Sequence, residues 1–140
     1  MWCLTVRQPF ASLIVRGVKD FEVRGWAPAH RGLLGVHSAR AYPSWADVEL
    51  AASLLPGPVD LDWLLAWALA EPRGVVLGSV QLLGIEALPS SSPWAAFGSW
   101  LWRLDSPVAW VRPVRAVGRL GLWPLGAPVV SPSQLSLFAS

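Results

Sequence analysis

The sequence predicts an α+β fold, a small β-barrel with helices packed outside it. Three observations point there: strand-like segments outnumber helix-like ones, the helices cluster after the first and third strands, and Pro and Gly fill the gaps. At 140 residues the chain is one domain long, enough to bury roughly two-thirds of its unfolded surface around one core. Neither an internal repeat nor a linker divides it. Residues 1–125 read as that domain, and residues 126–140, which lack periodicity, as a loosely packed tail.

Trp2 to Arg7, apolar and partly alternating, reads as the first strand. A helix follows at once. Pro9 suits its first turn, Phe10, Leu13 and Ile14 have the spacing of a buried stripe, and Gly17 is placed to cap the carboxyl end. From Lys19 to Trp26 alternation resumes as a half-buried strand, with Phe21 and Val23 on one face and Asp20, Glu22 and Arg24 on the other. In that register Lys19 points away from Glu22, so the two meet only if Lys19 sits in the preceding turn. Gly32 to Ser38 is the third strand. Ser44 with Asp47 forms a capping-box pattern for a helix to about Leu55, and Pro56-Gly57-Pro58 separates it from a second helix, Asp60 to Ala70. Val75 to Leu88 is a long apolar strand, and Ser99 to Leu104 and Trp110 to Leu122 read as two more.

Hydrophobic residues make up 54% of the chain and charged ones 14%, against about 25% charged in ordinary soluble domains, so the core is generous and the surface lightly charged. No apolar run reaches the roughly 20 residues of a membrane helix, and no secretory leader is readable; a cytoplasmic location with no membrane contact is expected. The single cysteine, Cys3, reads as a small buried hydrophobe, since it has no partner for a disulfide or a zinc site. The absence of asparagine and the thirteen prolines fit either a heat-adapted source or a codon bias. Charge is unevenly placed: residues 1–40 carry a net +4, residues 41–71 a net −5 and the remainder +3. If the two basic ends meet in the fold they make a face that attracts phosphate.

Lys19 is the only lysine, beside ten arginines, and lies in Gly17-x-Lys19-x-x-Glu22-x-Arg24. Lysine offers a compact ammonium whose pKa shifts on burial, which arginine does not. Arg7, Lys19 and Arg24 fall near a strand end and a helix start, a suitable place to receive a phosphate, and Glu22 could accept from a base edge. A purely structural Glu22–Arg24 ion pair has the same sequence signature. Trp26 follows the motif and, if exposed, can stack on a base. Of the remaining tryptophans, Trp100 with Trp102 and Trp63 with Trp67 have the spacing of core residues. His37 and Ser38 are adjacent on a strand, so their side chains diverge and form no nucleophile–base pair. His30 is isolated, no third ligand stands at metal spacing, and no glycine-rich phosphate loop follows a strand; neither metal nor cofactor is expected.

The octapeptide resembles the G-x-K-x-x-E-x-R motif of the ASCH domain family, a branch of the PUA-like barrels. Arg7-Gln8-Pro9-Phe10-Ala11, Arg31-Gly32 with His37 to Ala39, and Gly118 to Trp123 resemble further segments of that family, with Ser38 standing where many relatives carry alanine. The resemblance implies a PUA-like barrel with a basic cleft beside the first helix that binds RNA or a modified nucleoside or nucleotide. The cleft residues it implies are Arg7, Gln8, Lys19, Glu22, Arg24, Trp26, His37 and Ser38. Some members are amidohydrolases that remove an acyl group from acetylated cytidine with a lysine at the position of Lys19. In this chain Glu22 occupies the position matched to their threonine, and Lys19 and Glu22 would be the catalytic pair. A third reading is a protein-interaction module that uses exposed Trp45, Trp94 or Trp110 as anchors.

Overall fold

The computed structural model describes residues 1–126; the tail expected over 126–140 lies, from residue 127 on, outside the described residues. The chain runs β1 (Trp2–Val6), α1 (Phe10–Val15), β2 (Phe21–Arg24), β3 (Gly32–Ser38), α2 (Trp45–Ala52), α3 (Leu61–Ala70), β4 (Val75–Ala87), a single turn of 3-10 helix (Ala95–Phe97), β5 (Trp100–Arg115) and β6 (Leu122–Pro124). The six strands form one sheet in the order β2-β5-β4-β3-β1-β6. Among the described strands only β1 and β3 run parallel, because the crossover between them carries α1 and sends β2 to the far edge. The fold is the expected α+β class, a curled sheet that makes a partial barrel.

β5 corrects the expectation of two separate strands. Residues 100–115 form one strand against the whole length of β4, with register shifts that let the pair bend, and Ser106 takes up part of the irregularity with φ at +50°. Apolar alternation breaks at Asp105-Ser106-Pro107, which reads in sequence as a loop; in the fold it is an irregular stretch within a continuous ladder. Conversely, residues 116–121, read as strand, are not in the sheet, and the chain rejoins it only at β6.

Leu4 and Val6 of β1 face a core built with α1, Leu34 and Val36 of β3, Leu77, Val80 and Leu82 of β4, and Trp102 and Leu104 of β5. All six residues of α1 are buried. A helix apolar on every side belongs inside a core, and α1 accordingly touches β1, β3, β4 and β5. Val48 and Ala51 of α2 and Leu64 and Ala68 of α3 cover the same core. On the opposite face of the sheet Cys3, buried as expected, packs with Val76 and Trp123. The tryptophan pairs divide: Trp102 is fully buried, but Trp100 is 38% and Trp63 is 61% exposed, so helical or strand spacing alone misplaces half of each pair.

Trp102 is the largest fully buried side chain, and its indole N–H donates to the Trp26 carbonyl at 3.2 Å. Trp102→Ala is expected to cost about 3–5 kcal/mol of unfolding free energy in a denaturant titration, through cavity formation.

Candidate functional site

The octapeptide is laid out by the cap of α1. Gly17, at φ +78°, turns the chain, and the Val18 and Gly17 N–H groups close on the carbonyls of Leu13 and Ile14 at 2.9 and 3.0 Å. A residue with a side chain is strained at that φ, so glycine is required where the helix stops. Lys19 therefore sits in the turn, two residues before β2 begins. That overturns the geometry expected of a strand starting at Lys19: its ammonium lies 3.1 Å from Glu22 Oε1 and 2.8 Å from the Phe21 carbonyl oxygen.

The Lys19 side chain has no exposure. Its Nζ lies 5.4, 4.6 and 5.0 Å from the ring centres of Phe10, Phe21 and Trp94, an aromatic box whose rings meet edge to face. Burial pushes the ammonium below its ordinary value, against the pull of Glu22. Glu22 is the hinge of the cluster. Oε1 also accepts the Val23 N–H at 3.0 Å, and Oε2 accepts from Arg24 Nη2 at 3.3 Å. Burial alone would raise the Glu22 carboxyl, but Lys19, Arg24 and the Val23 N–H outweigh it and hold it below the usual carboxylate range. Both carboxylate oxygens are thus engaged inside the protein.

Arg24 leads out of this interior. Its Nη2 donates at 2.7 Å to the carbonyl of Thr5, on β1, whereas Arg24 itself belongs to β2 at the opposite edge of the sheet. A side chain, and not a backbone ladder, joins the two sides of the partial barrel. Along this seam opens a cavity of about 610 Å³ lined by Leu4, Thr5, Arg24, Trp26, His37, Ala39, Arg40 and residues 117–121. A second recess, of about 550 Å³, shares Arg40 and Val117 with it and adds Arg73 and Arg115.

The floor of the larger cavity is a directional hydrogen-bond chain. Thr5 and His37 are register partners in the parallel β1–β3 pair. His37 Nε2 lies 2.7 Å from the Ala116 carbonyl, which only accepts, so this nitrogen carries the proton and Nδ1 accepts from Thr5 Oγ1 at 3.1 Å. Thr5 Oγ1 in turn accepts the Trp123 indole N–H at 3.0 Å. Burial holds His37 below its ordinary pKa, which favours the uncharged ring that this chain of bonds requires. Gly118 lies directly on this pair: a Cβ there would come within 2.6 Å of Thr5 Oγ1 and 2.9 Å of His37 Cε1.

The predicted site residues therefore separate. Arg24, Trp26 and His37 line the large cavity, and Arg7 and Glu22 join Arg24 around a smaller recess of about 250 Å³. Gln8, Lys19 and Ser38 lie in the interior. Gln8 is fully buried and its amide is saturated by the Ser12 hydroxyl, the Ser12 N–H and the Pro72 carbonyl, while buried Ser38 donates to the Val75 carbonyl. Arg7, half exposed, is held at 2.6 Å by Asp47, which also closes the capping box of α2. Sequence reading missed Thr5, Arg40, Arg119 and the 117–121 loop. The spacing of Gly118 and Gly121 was the one available sign that this stretch is a loop and not a strand.

Among the described residues Arg24 pairs with Glu22, whereas Arg40, Arg73, Arg115 and Arg119 make no ion pair. Arg24 and Arg40 from the first basic stretch and Arg73, Arg115 and Arg119 from the last line these two adjoining recesses. No helix of the described residues is long and apolar enough to cross a membrane.

The buried cluster has a pH signature. The Glu22 pKa is lower folded than unfolded, so its stabilisation is complete above the unfolded value near 4.5 and disappears as pH falls from there through the folded value. Melting temperature is expected to fall on acidification across that window, and Glu22→Gln to remove this part of the slope. At neutral pH Glu22→Gln leaves the Lys19 charge uncompensated in the interior and is expected to cost about 3–5 kcal/mol in chemical denaturation.

Comparison with known proteins identifies the family. Human and mouse Activating signal cointegrator 1 are 42% and 41% identical to the chain over 85 residues, which is 59% of this chain and 14% of theirs. The chain thus spans a small part of those relatives. A crystal structure of ZmASCH from Zymomonas mobilis covers 81% of the chain, and 72% of its own, with a TM-score of 0.47 at 15% identity; a point mutant of the same protein gives 0.49 at 13%. The profile of the ASCH domain family matches residues 4–101, from β1 into β5. The chain belongs to the ASCH domain family.

Proposed function

We propose that this ASCH domain binds single-stranded RNA or a nucleotide in the seam cavity between β1 and β2. The observation that carries the reading is the convergence of Arg24, Arg40 and Arg119 on one cavity and of Arg40, Arg73 and Arg115 on the recess beside it, with no acidic residue lining either. The guanidinium groups of Arg40, Arg73, Arg115 and Arg119, which make no ion pair among the described residues, are suited to bidentate contact with phosphate. Trp26, 37% exposed and set edge to face against Trp102 at 4.9 Å, is anchored on one side and open on the other, as a stacking platform needs to be. Arg73 lies over the Tyr42 ring, 3.6 Å from its centre, which holds the guanidinium in place at the end of the recess.

Roles move relative to the sequence reading. The anchors for phosphate are Arg40, Arg119, Arg73 and Arg115, in place of Lys19 and Arg7, and Glu22 serves by holding Arg24 at the seam. The amidohydrolase reading gains the Lys19–Glu22 contact but needs Lys19 to reach a substrate, and burial in the aromatic box weighs against that. Of the tryptophans that an interaction module would use, Trp94 turns inward onto Phe10 and Phe21.

Fluorescence anisotropy with a short labelled RNA tests the reading. Affinity is expected to fall with salt, and Arg40→Ala or Arg119→Ala to weaken binding and flatten the log–log salt slope by about one unit each. Trp26→Ala is expected to lose about 1–3 kcal/mol of binding while the salt slope stays unchanged. A salt-independent affinity, or slopes unaffected by either arginine, would exclude the cavity as the site.

A further inference from the structure

The described fold is complete at β6. Leu125 donates its N–H to the Met1 carbonyl at 2.8 Å beside the β1–β6 pair, and among the described residues no buried side-chain nitrogen or oxygen lacks a partner. The chain continues from there into a segment of different chemistry. Residues 126–140 contain no charged side chain, so they add no cation to the basic cleft. They contain instead Gln134-Leu135-Ser136-Leu137-Phe138: three large apolar side chains within four residues, headed by an amide and set among Ser, Pro and Ala. A peptide of this composition gains most by inserting its apolar side chains into a preformed groove on another protein, where two adjacent anchors and one amide supply both energy and register.

We propose that residues 134–138 are a docking peptide for the apolar groove of a ring-shaped DNA sliding clamp of the bacterial type. Such a groove takes short uncharged peptides in which a leucine–phenylalanine pair fills an apolar pocket and a glutamine amide hydrogen-bonds at its mouth, and Leu137-Phe138 and Gln134 supply those groups at that spacing. Seven residues, 127–133, separate the peptide from the domain. The seam cavity and the docking peptide are therefore separate in sequence and opposite in chemistry, one positive and one apolar. This inference stands apart from the RNA reading.

The test uses the whole chain and an immobilised bacterial sliding clamp in surface plasmon resonance at low and high salt. Saturable binding is expected, little changed by salt because the peptide carries no charge, and weakened at least about tenfold by Leu137→Ala with Phe138→Ala. The doubly substituted protein is expected to melt with its parent and to keep the parent's affinity for RNA. Absence of saturable binding, or binding that survives the double substitution, overturns the proposal. So does clamp binding that instead follows Arg40→Ala and salt, since that would assign the contact to the basic cleft.

Discussion

The arrangement of this domain depends on one buried ion pair. Lys19 is taken wholly out of water, and a desolvated ammonium is tolerable only if its lost hydration is replaced. Three kinds of group replace it: the Glu22 carboxylate, the Phe21 carbonyl and the faces of Phe10, Phe21 and Trp94. Phe10 belongs to α1, Phe21 and Glu22 to the start of β2, and Trp94 to the segment before the 3-10 turn, so the cage joins three parts of the chain. Arginine has the charge, but its planar guanidinium is larger and differently shaped. The retention of one lysine in a chain otherwise rich in arginine has a steric account.

From this pair the constraint passes outward along Glu22. Because its second oxygen holds Arg24, the guanidinium is aimed at Thr5 across the opening of the sheet. A fully closed barrel would leave no space there. Closure by a side chain brings β1 and β2 together and still leaves a cavity beside the contact, into which residues 117–121 fold from the other end of the chain. Gly118 is what lets that loop approach the Thr5–His37 pair so closely. The cleft is thus a consequence of how the barrel is completed, with its basic rim supplied by residues remote in sequence.

Local features were the legible part. The cap at Gly17, the capping box at Ser44 and Asp47 and the buried stripe of α1 follow from spacing, and each is found; the half-buried alternation read for β2 is not, since Glu22 and Val23 are both buried. Continuity across Asp105-Ser106-Pro107 was not legible, because only pairing with β4 keeps that irregular stretch extended. The orientation of Lys19 turned on where β2 starts: alternation governs facing only within a strand, and Lys19 lies in the turn two residues before it. Burial of Gln8 and Ser38 was hidden for another reason: a polar residue with saturated hydrogen bonds in the core has no sequence pattern that separates it from one lining a cleft. The cleft arginines were invisible as a group because residues 40, 73, 115 and 119 come together only through tertiary folding.

These relations change what the octapeptide means. Gly17 is needed for the turn, Lys19 for the aromatic box, Glu22 to compensate Lys19, and Arg24 to span the seam, so every position of the motif has a structural task in this fold. A motif that specifies how a barrel is stapled marks the scaffold, while the chemistry of recognition resides in residues added around it. In the proposed function those would be Trp26, Arg40, Arg73, Arg115 and Arg119, none of them in the motif. Arg24 alone belongs to both sets, since the nitrogen that bonds Thr5 and Glu22 leaves the rest of its guanidinium at the cavity wall. Any ligand in the cavity meets a cation whose position is set from behind by the buried pair, which is how a charge with no solvent exposure, Lys19, can tune the geometry of binding without touching what is bound.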